Sequence, residues 1–502
     1  MFSLRNQPLS VVILGLAGLL MIFPMLFAAR VENWDIARVF LYHIIFAAMI
    51  TIMFAIAFSG RQLDRRTARR LADILVAIIT VPLILALPLH ALLPQISLAD
   101  HYFEMLSSLT TTGASFYPNP GNLPETVHLW RALVAWFGGG LMLVVALSMF
   151  QPAGLGGFEV YGAGEGGSYS AFYIRRSDIR TRVLRYSIQI FPIYAGLTIV
   201  LAFLLAATGM RSFSAAIYAM GVLSTSGISH IGEPLILGSG LISEFLIFIA
   251  LFAAVSRFTF QQDAEGRGWK NLKTDKEINL MLFIIALVPL ALFLRHWSGA
   301  LDVSQENDWR AALQAFWGSV FTVLSFLTTT GYESIHWSLA QNWSGFGASA
   351  TVLVGLCAMG GGIATTAGGI KLLRVYALYK HGLRELQRLS YPSSVMGAGR
   401  KARAIRREGA YIAWVFFMLF IVSISALMLA YSATGVAFED AILLSVSGLS
   451  TTGPLLSVAS ESGLTYADLD TSAKIVFALS MVLGRLEVLA VIAILAPNSW
   501  TN

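Results

Sequence analysis

A pentapeptide that recurs four times constrains this chain more than any other feature. Leu109-Thr110-Thr111-Thr112-Gly113, Leu223-Ser224-Thr225-Ser226-Gly227, Leu327-Thr328-Thr329-Thr330-Gly331 and Leu449-Ser450-Thr451-Thr452-Gly453 all fit L-[ST]-T-[ST]-G. By subtraction their glycines stand 114, 104 and 122 residues apart. At ordinary residue frequencies, fewer than about one chance match is expected in a chain of this length. Each copy also has the same surroundings: an apolar span, a short apolar or aromatic segment, the pentapeptide, a polar stretch and a second span. Any fold for this sequence has to accommodate an internal fourfold repeat.

The spans between the copies require a membrane. Of 502 residues 56% are hydrophobic and only 12% charged, against about a quarter charged in soluble chains, and the mean hydropathy is +0.71. The runs Leu71–Leu93, Leu129–Phe150, Ile188–Thr208, Gly240–Val255, Ile278–Leu294, Tyr411–Tyr431 and Ile475–Pro497 are each of about the length that crosses 30 Å of hydrocarbon. Two more, Leu9–Phe27 and Val39–Phe58, precede the first repeat. The first of these is long and followed directly by the second, which favours two retained helices over a cleaved signal. The single cysteine, Cys357, lies in an apolar run and reads as a packing residue.

Charge placement sets the expected orientation. Five Arg fall in Gly60–Arg70, five in Arg175–Arg185, five Lys or Arg in Arg257–Lys276 and ten in Lys371–Arg407; with Arg5 these make 26 of the 34 basic residues. Basic clusters beside spans mark cytoplasmic loops, so the four pentapeptides face outward. The net charge of +6 therefore reports topology. No basic patch interleaved with aromatics suggests nucleic-acid binding.

The short segments Tyr102–Leu109, Phe213–Leu223, Phe316–Leu327 and Phe438–Leu449 are about 12–18 Å long as helices, too short to cross. They can enter the bilayer only as half-helices that turn back. The hydroxyl-rich residues that follow must then line a polar cavity, because irregular backbone at membrane depth is not tolerated against lipid. Extended backbone with inward carbonyls can replace a cation's hydration shell, and Ser and Thr suit such a backbone. Gly113, Gly227, Gly331 and Gly453 can adopt the positive φ that turns a carbonyl inward. The candidate filter residues are Thr111, Thr112, Gly113, Thr225, Ser226, Gly227, Thr329, Thr330, Gly331, Thr451, Thr452 and Gly453. The hydroxyls of Thr111, Thr225, Thr329 and Thr451 are the candidate cation ligands. Helix C-termini aimed at the loops further favour a cation.

Two single-copy features break the symmetry. Gly360-Gly361-Gly362-Ile363-Ala364-Thr365-Thr366-Ala367-Gly368-Gly369-Ile370-Lys371 interrupts the second span of the third repeat. Each glycine there disfavours helix by about 1 kcal/mol relative to Ala, so an unwound segment is expected; close packing of small residues is the other reading. Arg485 lies in the last span, where a charge costs about 2.5–3.5 kcal/mol and ordinarily faces a cavity or a partner, or else snorkels to headgroups. Glu487, two residues on, sits about 200° around the helix and needs a partner elsewhere. Asp100 and Asp440 each lie 13 positions before their repeat glycine and read as helix N-caps. Glu104 falls within the first short helix, and His230, Glu333 and His336 follow the loops.

With these motifs the chain resembles the Trk/Ktr/HKT superfamily of potassium transporters, and within it the bacterial Trk-type membrane subunit, over nearly its whole length. The resemblance implies an all-α integral membrane protein of four helix–pore loop–helix units around a central pore, plus two N-terminal transmembrane helices. The corresponding division is 1–65 for those two helices, then 66–185, 186–270, 271–405 and 406–502 for the four repeats. It implies K⁺ as the transported ion with Rb⁺ also passing, Gly113 favouring K⁺, and no covalent cofactor. It further implies a gate formed by Gly360, Gly361, Gly362, Thr365, Thr366, Gly368 and Gly369 below the filter, with Arg485 pointing into the pore. A homodimer docked on a cytosolic ring of nucleotide-binding regulatory subunits, in membrane lipid, is the implied assembly. This chain has neither GxGxxG nor a Walker A motif, so nucleotide sensing would fall to the partner.

Three functions compete on the residues alone: a gated pore, H⁺- or Na⁺-coupled K⁺ symport, and an intramembrane enzyme. Coupling needs titratable groups along the path, and the spans hold few acids besides Glu104, Glu244 and Glu487. No HExxH or GxSxG is present and the eight His are scattered, which argues against an enzyme.

Overall fold

The structure, a computed structural model, describes residues 7–59, 67–117, 120–160, 179–230, 240–256, 259, 275–299, 309–344, 349–390 and 407–488. Most of the basic clusters within 60–66, 260–274 and 391–406, and the end of the last apolar run, lie outside the described residues. Among those described the chain is all helical, with no strand.

Three helices open the fold: α1 (Leu9–Leu20), α2 (Ile22–Arg30) and α3 (Trp34–Ala57). The first two form one span, Leu9–Arg30. Asn33 starts α3 by accepting the Ile36 amide on its side chain, an N-cap that satisfies one orphan donor. One face of α3 leaves Tyr42, Ile45, Met49, Ile52 and Met53 exposed, as lipid contact requires. The other packs Phe40 edge-on to Trp130 at 5.9 Å. Trp130 in turn donates to the Leu85 carbonyl at 3.1 Å, which ties the N-terminal pair to the first repeat. Inside lipid such contacts stabilise by close packing and hydrogen bonding, since apolar burial gains little there.

The four repeats follow. The first holds α4 (Thr67–Leu92), α5 (Leu98–Leu109) and α6 (Glu125–Val145), which runs on through a π turn at Ala146–Phe150. The second holds α7 (Ile179–Ala207), α8 (Ser212–Leu223) and α9 (Leu241–Val255). The third holds α10 (Lys276–Gly299), α11 (Trp309–Leu327), α12 (Trp337–Ser344), α13 (Ser349–Met359) and α14 (Leu372–Ser390). The fourth holds α15 (Arg407–Ala433), α16 (Phe438–Ser450), α17 (Pro454–Ala459) and α18 (Thr471–Leu486).

The short helices α8 and α16 match the expected segments to within one residue at each end, whereas α5 starts at Leu98, four positions before the expected Tyr102. The short helix of the third repeat differs more: α11 has 19 residues and starts seven positions before the expected Phe316. Its extra turns carry the exposed Trp309 and Leu313, and its inner half is buried like its counterparts. Eight described helices are long and apolar enough to cross a membrane, and α11 is one of them although it ends at a pentapeptide. The second spans α9 and α18, of 15 and 16 residues, fall short by the same measure, so helix length and repeat position give different counts.

The capping expectation for the two repeat-equivalent acids is corrected. Ser97 is the N-cap of α5, accepting the Asp100 amide at 3.1 Å, and Asp100 sits at the third helical position. Its carboxylate accepts from Ser97 Oγ and pairs with Lys474 Nζ at 2.7 Å. Asp440 is likewise a first-turn residue of α16, behind Ala437. Each acid still lies where a helix N-terminus favours negative charge.

Candidate functional site

All four short helices end the same way. In the first, the Thr111 amide donates to Ser108 O (2.9 Å) and the Thr112 amide to Ser107 O (2.8 Å). The equivalent amides donate to Val222 and Gly221 in the second, Phe326 and Ser325 in the third, and Gly448 and Ser447 in the fourth, at 2.9–3.2 Å. This is the Schellman helix stop, which needs a left-handed residue just past the helix. Glycine ordinarily fills that position, but here it is Thr111, Thr225, Thr329 and Thr451, with φ of 54°, 50°, 57° and 53°. A β-branched residue held there costs on the order of 1–3 kcal/mol. The extended backbone expected for the hydroxyl residues is therefore absent at the middle position.

The flanking hydroxyls clasp one another across that turn. Thr110 and Thr112 lie 2.8 Å apart, Ser224 and Ser226 2.9 Å, Thr328 and Thr330 3.0 Å, and Ser450 and Thr452 3.1 Å, each Oγ to Oγ. Each turn thus aims the middle hydroxyl to one side and the glycine to the other.

On the glycine side the loops meet as a ring. A Cβ on Gly113 would collide with the Ser226 carbonyl, one on Gly227 with the Thr330 carbonyl, and one on Gly453 with the Ala114 amide. One on Gly331 would stand 2.8 Å from Pro454 Cβ. All four glycines line one cavity of about 340 Å³, walled by Ser115, Tyr117, Arg131, Glu333 and Tyr466 among others. Gly113, Gly227 and Gly331 have φ of 73°, 64° and 84°, as their proposed carbonyl orientation requires. Gly453 departs, with φ −57° and ψ −43°, because Pro454 and the short α17 follow it directly.

On the threonine side the glycine-rich segment closes the ring from below. Helix α13 stops at Gly360 (φ 69°), and the chain folds back until Ile370 and Lys371 donate to Ala358 and Met359, each at 3.0 Å. Gly361 O accepts the Leu372 amide at 3.0 Å and Gly362 O accepts Thr365 Oγ1 at 2.6 Å. Gly369 turns the chain with φ 75°. Two middle hydroxyls are engaged: Thr225 Oγ1 donates to Thr366 Oγ1 (2.9 Å), and Thr329 Oγ1 accepts the Gly368 amide (2.9 Å). The other two, Thr111 Oγ1 and Thr451 Oγ1, are buried without a hydrogen-bond partner. The segment thus binds the second and third loops and leaves unpaired oxygens on the first and fourth.

Arg485 is buried in this layer. Its Nη1 donates to Thr366 O at 2.5 Å, while Nε and Nη2 lack hydrogen-bond partners. With Gly368, Gly369, Lys371 and Glu487 it lines a pocket of only about 30 Å³, room for about one water. Glu487 pairs with Arg374 Nη2 of α14 at 2.9 Å, both side chains nearly inaccessible, and Arg374 also stacks over Phe416 at 3.6 Å.

Buried acids brace the loops from behind. Glu104 on α5 pairs with Arg131 of α6 at 2.6 Å and accepts the Phe116 amide at 2.7 Å. Glu244 on α9 accepts Trp317 Nε1, Ser334 Oγ and the Ile335 amide at 2.8–3.1 Å, so the second repeat supports the third loop. Asp440 accepts from Ser460 and Ser462. Of the three polar residues expected at the mouth, Glu333 lines the cavity; His230 instead bonds Ser214 at 2.9 Å, and His336 is not among the lining residues. Arg131, Arg374, Ser447, Pro454 and Tyr466 were not singled out by sequence. Of these only Pro454 carries a local signal, standing directly after a repeat glycine.

Four helix–loop–helix units whose loops close on one cavity inside a helical bundle define an all-α, multi-span membrane protein of pseudo-repeated units. A family model described as "TrkH: Cation transport protein" matches residues 278–501. The Trk system potassium uptake protein TrkH of Salmonella typhimurium is 28% identical over 410 residues, covering 81% of this chain and 80% of that protein. The protein of the same name from Escherichia coli K12 matches equally, 28% over 410 residues. The crystal structure of the potassium transporter TrkH from Vibrio parahaemolyticus superimposes with a TM-score of 0.81 at 24% identity, covering 99% of both chains, a likeness of fold. Over residues 278–501 the chain thus matches the cation-transport family model, and over about four fifths of its length it is similar to the TrkH potassium uptake proteins, whose fold it shares.

Proposed function

We propose that this protein carries K⁺ into the cell across the cytoplasmic membrane, through a gated path in which the four pentapeptide loops form the selectivity filter. The observation that carries the reading is the convergence of all four glycines on one cavity, with four threonine hydroxyls on the opposite face of the same ring. Carbonyls and hydroxyls at such a constriction replace water around a cation. Thr111 and Thr451, whose hydroxyls are buried and unpaired, are the ligands most available to it. The reading assigns the gate to Gly360–Gly369 and Arg485. The segment occupies the exit, and the guanidinium adds a positive barrier until the segment moves. The relatives named for potassium uptake support the ion, and the fourfold division of residues 66–502 belongs to the same reading.

A pore fits better than obligatory coupling to H⁺ or Na⁺. A coupling site needs an acid free to exchange its proton along the path. The buried acids of the spans are committed: Glu104 to Arg131, Glu487 to Arg374, Glu244 to three donors, and Glu277 to the Ile363 amide at 3.1 Å. The deciding measurement is Rb⁺ influx into proteoliposomes under an imposed voltage without proton or sodium gradients. Robust influx supports the pore, and influx that appears only with a gradient establishes symport. The reading also includes a homodimer and a cytosolic nucleotide-binding regulatory ring that pulls on the third-repeat segment. Nucleotide-dependent influx after adding such a ring tests it.

A further inference from the structure

The fourth loop differs from the other three in how its carbonyls are used. Thr452 O accepts both Ser447 Oγ (2.8 Å) and the Leu455 amide (3.2 Å). Gly453 O accepts both Tyr466 Oη (2.8 Å) and the Leu456 amide (3.3 Å). A carbonyl has two lone pairs, so neither oxygen is left for a cation. Among the described residues, the carbonyls of Gly113, Gly227 and Gly331 accept no hydrogen bond. The Gly453 amide also donates to Thr112 O at 2.6 Å, which occupies a carbonyl of the first loop.

Pro454 stands where these loops converge. The first loop touches the second, the second the third, and the fourth the first, so the second and fourth loops face each other across the ring. A Cβ on Gly227, in that opposite loop, would lie 2.9 Å from Pro454 Cγ, and one on Gly331 2.8 Å from Pro454 Cβ. The pyrrolidine ring therefore reaches across to the opposite loop and to the third, and it lines the cavity.

This arrangement works against a local preference. A residue before proline is pushed out of the α region by the proline Cδ, yet Gly453 adopts φ −57° and ψ −43°. The lack of a Cβ lowers that penalty, and the Ser447, Tyr466 and Thr112 hydrogen bonds hold the conformation. Removing them favours the extended form, which would turn both carbonyls and the proline ring.

Resting on the pore reading above, we propose that the fourth loop is a second gate on the cavity side, with Pro454 as its plug and Ser447 and Tyr466 as its latch. A cation entering the filter competes with the two hydroxyls for the Thr452 and Gly453 carbonyls. By linkage, its apparent affinity is reduced by the fraction of molecules whose loop is unlatched.

Tyr466→Phe and Ser447→Ala each remove one hydroxyl of a pair that lie 2.9 Å from each other, one facing each carbonyl. The test is the concentration dependence of Rb⁺ influx into proteoliposomes holding the full-length protein. Loss of one such hydrogen bond should lower the half-saturating Rb⁺ concentration by about three- to tenfold with maximal influx retained. The Rb⁺-induced rise in Tm of the detergent-solubilised protein should increase in parallel. Half-saturation unchanged or raised in both variants overturns the latch, as does loss of the folded protein in both, which would make the hydroxyls structural supports. Absence of saturable Rb⁺ influx in the unmodified protein overturns the pore reading instead.

Discussion

On one side of the four loops lies a cavity of about 340 Å³ lined by every repeat, and on the other a pocket of about 30 Å³ lined chiefly by the third, with the first and fourth completing it. The cavity side follows the repeated sequence: one helix stop, one hydroxyl clasp and one glycine, four times over. The opposite side follows single-copy sequence, the glycine-rich break after α13 and Arg485 near the end of α18. On the function proposed above, repetition builds the constriction while departures from repetition close it.

The strongest challenge to the repeated side is Gly113→Ala. With φ 73° and the Ser226 carbonyl where a Cβ would stand, the ring must distort, and Rb⁺ influx should be abolished. Retained influx would detach the glycine ring from permeation, and Gly113→Ser with unchanged K⁺ over Na⁺ discrimination would detach it from selectivity. Next comes Arg374→Met, which leaves Glu487 buried without its partner. Breaking a buried pair costs about 3–5 kcal/mol, to be read as loss of stability by thermal denaturation in detergent. Adding Glu487→Gln should recover much of that loss, and no recovery would mean the pair is not a unit.

Arg485→Ala removes a charge from the single-copy side. Basal Rb⁺ influx should rise about tenfold or more, given the size of charge–charge repulsion in a weakly screened site. Unchanged influx would remove Arg485 from the barrier. The smallest effect belongs to Thr329→Val, which deletes the acceptor of the Gly368 amide. One hydrogen bond of about 1 kcal/mol between loop and gate should raise basal influx about threefold, and a fall would mean the bond supports the filter rather than holding the gate.

The repeats were legible because their pattern is local: five residues, a short apolar segment before, a span on either side. The break at Gly360 was legible for the same reason, since glycine density acts on the backbone where it stands. Other features depend on residues far apart in sequence. Arg374 and Glu487 are 113 positions apart, and Glu244 braces a loop 90 positions away. The length of α11 exceeds the expected segment because its added turns, Trp309–Ala315, mix apolar and polar residues, although Asn307-Asp308 directly before them is a helix start signal. The helical conformation of Gly453 could not be read from its pentapeptide, which matches the other three. Pro454, Ser447 and Tyr466 decide it, and only the first is adjacent.

The left-handed threonines set a conflict between durability and use. Glycine at positions 111, 225, 329 or 451 would relieve backbone strain at each helix end, on the order of 1 kcal/mol apiece. Each such change would also delete a hydroxyl that either meets the closing segment or stands ready beside it. A search for hardier variants that scores melting temperature alone would therefore drift toward glycine at these four sites. It would yield a more robust bundle and, on the proposed reading, a blunted filter.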